Sequence, residues 1–193
     1  MKASILLGFM SILIFITGCG SKEKQESEDP GTVKVDILNK QNAVTADGDF
    51  IYRLVTEKAE YSLGETVKIY AELEYIGEQD SITIYHAASP FSFPIEERTR
   101  GYSIGYNMNT PLLNTTLKRG EPLREEYKNS GGFGETDERA YIDFIKSLWA
   151  DGFPAGYYVV DGFADFYVES KVDGEDKEED YTIKSQIDFT VTE

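Results

Sequence analysis

Nine residues restrict this chain more than any other stretch. From Val67 to Tyr75, apolar Val67, Ile69, Ala71, Leu73 and Tyr75 alternate with Lys68, Tyr70, Glu72 and Glu74. A period of two sets one group on a core and the other in water, the mark of a strand in a sheet with one solvated face. On a helix the same apolar residues would be scattered around the circumference. At least one face of a sheet must therefore be covered by something else in the chain.

Other segments repeat the pattern. Val33, Val35 and Ile37 alternate with Lys34 and Asp36, and Phe50, Tyr52 and Leu54 follow the turn-forming Asp47-Gly48-Asp49. Ile82 and Ile84 begin another strand after Gly77-Glu78-Gln79-Asp80. Phe91, Phe93 and Ile95 enclose Pro94, which cannot donate to a ladder and points to an edge strand or bulge. Short alternating pieces come next at Tyr102, Ile104 and Tyr106, at Leu113, Thr115 and Leu117, and at Leu123, Glu125 and Tyr127. A long strand is expected from Tyr157 through Lys171, with Tyr158, Val160, Gly162, Ala164, Phe166 and Val168 on one face. Tyr181, Ile183, Ile187, Phe189 and Val191 make the last strand.

One segment departs from this. Tyr141, Phe144, Ile145, Leu148 and Trp149 recur at helical spacing, Thr136 or Asp137 offers an N-cap, and Asp151-Gly152 with Pro154 supplies the stop. An amphipathic helix over about 137–150 is expected, with Trp149 packed in the core. Many short strands, one helix, 13 tyrosines and 11 phenylalanines argue for an all-β chain folded as an antiparallel β-sandwich.

The N-terminal end is of a different kind. A short basic start, Met1-Lys2, precedes an apolar run from Ile5 to Ile16 that ends in Thr17-Gly18-Cys19. Twelve helical residues reach only ~18 Å, well short of the ~30 Å hydrocarbon core, so the run fits a secretory h-region. Ile16-Thr17-Gly18-Cys19 resembles the bacterial lipoprotein signal family, whose motif is an aliphatic residue, two small residues and cysteine. The resemblance implies cleavage of 1–18, a diacylglycerol and in some cases a further acyl chain on Cys19, and anchorage at the extracytoplasmic face of the cell membrane. Two or more acyl chains hold a protein stably. Cys19 is the sole cysteine, so no disulfide can form within the chain. Residues 19–32, polar and closed by Pro30-Gly31, have the composition of a disordered tether. The remaining 33–193 suit one domain.

Within that domain, Tyr61-Ser62-Leu63-Gly64-Glu65-Thr66-Val67, the Phe91-x-Phe93 strand, Leu117-Lys118-Arg119-Gly120-Glu121 and Pro154-Ala155-Gly156-Tyr157 resemble bacterial immunoglobulin-like domains. They are most similar to the BsuPI type, named for an intracellular proteinase inhibitor. The similarity covers about 50–169 and implies an immunoglobulin-like sandwich with the helix as an insertion. No inhibitory residues can be matched.

Several chemical patterns fall away on inspection. Gly101-Tyr102-Ser103-Ile104-Gly105 fits G-x-S-x-G, but that elbow needs a strand-to-helix turn and a histidine after the serine. The single histidine, His86, precedes it. His86 also lacks the histidine or cysteine companions of a zinc site. Gly131-Gly132-Phe133-Gly134 lacks the Lys-Ser/Thr of a phosphate loop and reads as a flexible turn. The acidic run 173–180 does not keep calcium-loop spacing and reads as a solvated hairpin tip. No metal, cofactor or catalytic group is assigned, and the protein is expected not to be an enzyme.

Charge narrows the partners. Loss of Lys2 with the signal peptide leaves 18 basic and 35 acidic side chains, a net of −17. Nucleic acid, which calls for a basic footprint, is excluded, and an anionic membrane surface should repel the domain. The expected function is a lipid-anchored surface lipoprotein whose sandwich binds an envelope protein or wall component. The alternatives are an anchored proteinase inhibitor and, less favoured, a hydrolase. Loops are the usual recognition sites, and aromatic and arginine side chains dominate binding energy. The candidates are Arg98, Arg100, Tyr102, Tyr106, Asn107 and Asn109, together with the glycine loop 131–134.

Overall fold

The computed structural model describes residues 37–193 apart from 129, 173 and 174. The expected signal peptide 1–18, Cys19 and the tether 19–32 lie outside the described residues, as does most of the strand expected at 33–37. Among the described residues no helix is long and apolar enough to cross a membrane.

The fold is mostly β with one helix. Strands β1 (Asn42–Asp47), β2 (Phe50–Thr56), β4 (Ile69–Tyr75) and β10 (Leu123–Glu126) form a four-stranded antiparallel sheet in the order β1-β2-β4-β10. The last seven of the nine alternating residues become β4, with Ile69, Ala71, Leu73 and Tyr75 buried and the polar set facing out, and Val67 and Lys68 precede the strand. A larger sheet runs β3-β12-β11-β5-β9, where β3 is Glu60–Ser62, β5 Ser81–His86, β9 Leu113–Lys118, β11 Gly156–Val172 and β12 Glu175–Thr192. Short β6 (Phe91–Ser92) and β7 (Ile95–Glu97) extend the β5 side of β11, and β8 (Tyr102–Ile104) pairs with β7.

The two sheets pack through aromatic rings. Phe50 of β2 meets Phe166 of β11 and Tyr181 of β12 at centroid distances of 4.8 and 4.9 Å. A second run of rings joins Tyr106, Phe93, Tyr127, Phe153, Tyr158 and Phe189. Such rings bury large areas and prefer offset or edge-on contacts, which is how a chain without disulfides builds its core. Gly162 is needed in this layer because a Cβ there would come within 2.8 Å of Leu54 and of the Tyr52 hydroxyl, so only glycine admits the opposite sheet so closely.

Several expectations are revised. The sheets are not wholly antiparallel, since β3 pairs parallel with β12. The expected edge is found at β6, which has β11 as its one partner, whereas β7 beyond Pro94 is flanked by β11 and β8; the carbonyls of Pro90 and Pro94 accept from Asp165 and Asp161. Proline is tolerated there because it loses only a donor. Most of the acidic run is ladder, with Glu175 to Asp180 paired residue by residue to Val172 through Tyr167. Its solvent exposure is as expected.

The helix, α1, spans Arg139–Asp151. Its N-cap is Glu138, without a side-chain cap bond, and not the expected Thr136 or Asp137; the Asp137 carboxylate accepts from Gly134 N at 2.7 Å and closes the preceding turn. Phe144, Ile145 and Leu148 are buried, but Trp149 is 48% exposed, contrary to the expected core position. At ~100° per residue, Trp149 stands about 90° from the centre of the stripe made by 141, 144, 145 and 148. The glycine loop is not a free turn either: Gly131 N donates to Gly105 O at 2.9 Å. With φ of 93°, it packs where a Cβ would touch Ile104 and Ile145 at 3.1 and 3.2 Å.

Candidate functional site

The six residues singled out from the sequence fall into two groups with different surroundings. Arg98, Arg100 and Tyr102 belong to the β7–β8 hairpin. Buried Glu97 accepts from Thr99 N and Arg100 N at 3.0 and 2.8 Å and pairs with the Arg100 guanidinium at 3.3 Å. That guanidinium also donates to Ala155 O and lies over the Phe144 ring, so the fold itself occupies it. Tyr102 packs edge-on to Tyr141 and tilted on Phe144 of α1. Arg98 is exposed, and its backbone N donates to Tyr157 O. The hairpin thus serves to seat the helix.

Tyr106, Asn107 and Asn109 lie on the irregular segment 105–112, with Tyr106 packed on Phe93 and Tyr127. The backbone of Asn109 receives Ala88 N. Between this segment and β11 are two clefts of about 320 and 280 Å³ that share Ala87, Thr110 and Asp165 in their walls. Tyr106, Asn107, Met108 and Phe163 line the first; Tyr85, His86, Leu112 and Tyr167 line the second. The two clefts adjoin and form a groove of mixed lining, aromatic and apolar side chains alternating with polar ones that include the Asp165 and Asp180 carboxylates.

The groove is electrostatically simple. The Tyr85 and Tyr167 rings stack at 4.9 Å and 11°. The Tyr85 hydroxyl donates to Glu169 at 3.1 Å, and this bond, then the carboxylate charge, holds the phenol above its usual ionisation range. Tyr167 is raised by desolvation first and then by Glu178, Glu169 and Asp180. Tyr106 is raised chiefly by burial. All three phenols stay protonated near neutral pH, the Tyr85 hydroxyl already donating to Glu169. His86 is held between Ala87 O at 2.9 Å and the Thr115 hydroxyl at 2.8 Å.

Ser103 lies in the middle of β8, opposite Glu96, and its carbonyl accepts from the Tyr141 hydroxyl. It is on a hairpin strand, not at the strand-to-helix turn a nucleophile elbow requires. Among the described residues, no three His, Cys, Asp or Glu side chains converge as a metal-ligand set.

Sequence reasoning missed Tyr85, Met108, Phe163, Asp165 and Tyr167. The available signal was on β11, where Phe163 and Tyr167 occupy the solvent-facing alternation that an ordinary strand fills with polar residues.

A second apolar feature stands elsewhere. Trp149 and Phe133, the latter 37% exposed, have ring centroids 5.4 Å apart, and Lys146 Nζ lies 5.5 Å from the Phe133 centroid. Trp149 Nε1 donates to Ser130 O at 3.1 Å. A cleft of about 260 Å³ lined by Gly64, Glu65, Trp149, Asp151 and Phe153 adjoins them.

No family model and no curated protein matches the chain. Two solved structures are similar to it. One is the alkylpurine DNA glycosylase AlkC of Pseudomonas fluorescens bound to DNA containing an abasic site analog, at 13% identity and a TM-score of 0.32 over 80% of this chain. The chain spans 31% of that glycosylase chain. The other is a protein from Archaeoglobus fulgidus, at 8% identity and a TM-score of 0.31, covering 75% of this chain and 96% of that one. Likeness at these scores fixes neither fold family nor activity.

Proposed function

We propose that this protein is a lipid-anchored, non-enzymatic lipoprotein of the extracytoplasmic membrane face, whose immunoglobulin-like sandwich of the BsuPI type binds an envelope protein or wall component. The single observation that carries the binding role is the groove beneath segment 105–112. It offers stacked Tyr85 and Tyr167, Met108 and protonated phenols along two adjoining clefts. Aromatic side chains supply contact area at low entropic cost, and methionine adapts to irregular partners. Anchorage is supported by Ile16-Thr17-Gly18-Cys19.

Two measurements test the two halves. Cys19→Ala is expected to release the protein from the membrane fraction, and unchanged retention overturns the anchor. Purified full-length protein is expected to sediment with insoluble cell wall or to crosslink to one envelope protein. Tyr167→Ala, on an exposed face, should lower that recovery about tenfold, the cost of ~1.4 kcal/mol at a hot spot. Equal recovery by the variant would move the site elsewhere.

A further inference from the structure

We infer that the end of the fold carrying Trp149 rests on the lipid surface, an inference that depends on the anchored reading above. Five of the nine large hydrophobic side chains left exposed among the described residues, Ile37, Leu38, Leu63, Phe133 and Trp149, belong to one end. Trp149 and Phe153 line the same cleft as Gly64, next to Leu63. Leu63 N donates to Thr192 O at the last residue of β12, and Phe153 leads into β11. Leu38 N donates to the Tyr157 hydroxyl, on the second residue of β11.

This is also where the chain arrives from Cys19. Eighteen residue steps separate Cys19 from Ile37, which allow at most ~60 Å when fully extended. A membrane-held cysteine is thus joined to the domain at this end, opposite the far tip of the β11–β12 ribbon, and the leash is long enough to let this end reach lipid. Tethering of that kind turns a weak contact into an intramolecular one at high effective concentration.

The chemistry of the patch suits an interface. An indole whose N–H is already satisfied by Ser130 O presents an apolar body at headgroup level, where tryptophan is enriched. Leu63, 56% exposed at the tip of a turn, adds an aliphatic contact, and Lys146 beside Phe133 supplies a local cation. The strongly acidic whole favours zwitterionic over anionic lipid. The domain would then touch the membrane with this end, not stand away from it as net charge alone implies.

Trp149 is the sole tryptophan and reports on its own surroundings. The lipidated protein would be reconstituted in phosphatidylcholine vesicles with either ordinary or brominated acyl chains. Flotation reads anchoring, and emission reads contact. The expected result is co-flotation with marked quenching of Trp149 in brominated vesicles, less quenching when phosphatidylglycerol is added, and loss of most quenching in Leu63→Ser while flotation persists. Equal emission from floated protein in both vesicle types overturns the inference and leaves the anchor standing. Failure to float overturns both. A change in Trp149 emission on adding soluble wall glycan to detergent-held protein, with no bromine quenching in vesicles, assigns the patch to glycan and overturns the lipid contact.

Discussion

Tyr52 is fully buried, and its hydroxyl has no hydrogen-bond partner among the described residues. A buried hydroxyl without a partner costs roughly 1–3 kcal/mol on protein mutational scales. Tyr52→Phe keeps the ring that meets Phe91 at 6.2 Å and removes only the unpaired oxygen. The variant is expected to be more stable by about 1 kcal/mol, read as a higher urea midpoint at unchanged slope. Nothing in the period-two pattern of Phe50, Tyr52 and Leu54 distinguishes this hydroxyl, because alternation reports which face is buried and is silent on what the face meets. Arg100 shows the converse. Its type and its turn were legible as a recognition candidate, but the buried Glu97 that takes it up precedes it on a strand whose inward register is set by β11.

The elements themselves were legible where local sequence decides them. β4 and β2 each carry a full period of their own pattern and their burial follows it, as does that of α1 except at Trp149. The groove was not legible: it brings β5, segment 105–112 and β11 together across as many as 80 residues, a pairing that no local period encodes. The outer half of β12 was hidden for another reason. Asp and Glu are poor strand residues, yet Glu175 to Asp180 are strand because a long partner, β11, holds them in register. That register sets Glu178 directly opposite Glu169, and like charges across a ladder are destabilising. Glu178→Lys is expected to stabilise the protein by ~0.5 kcal/mol, an effect that should shrink in high salt as surface charges are screened. Thermal unfolding at low and high ionic strength would measure it.

At the scale of the molecule, tyrosine makes stability depend on alkaline pH. Burial pushes the Tyr52 and Tyr158 phenols well above their usual range, and burial, then the bond to Glu179, raises Tyr181 to about 12. In the unfolded chain these groups titrate near ~10. Below that value both states hold the proton, and the contribution to stability is fully present. Between about 10 and 12 the unfolded state sheds protons that the folded state retains, so unfolding becomes progressively easier as pH rises. The urea midpoint should be insensitive to these phenols up to pH ~10 and then fall, less steeply in Tyr52→Phe. A midpoint that stayed level through pH 12 would contradict the burial of these rings.

The junction at Asp188 has a mechanical meaning. Its buried carboxylate accepts the backbone N–H of Asn39 and of Lys40 and the Tyr157 hydroxyl, while Asp188 N donates to Lys40 O. A pull on the chain ahead of Asn39 would therefore load β12 and its 17-residue ladder with β11 before it could peel β1 from β2. Such a force would be borne by the longest pair of strands, sparing the edge strand that an unzipping force would open first.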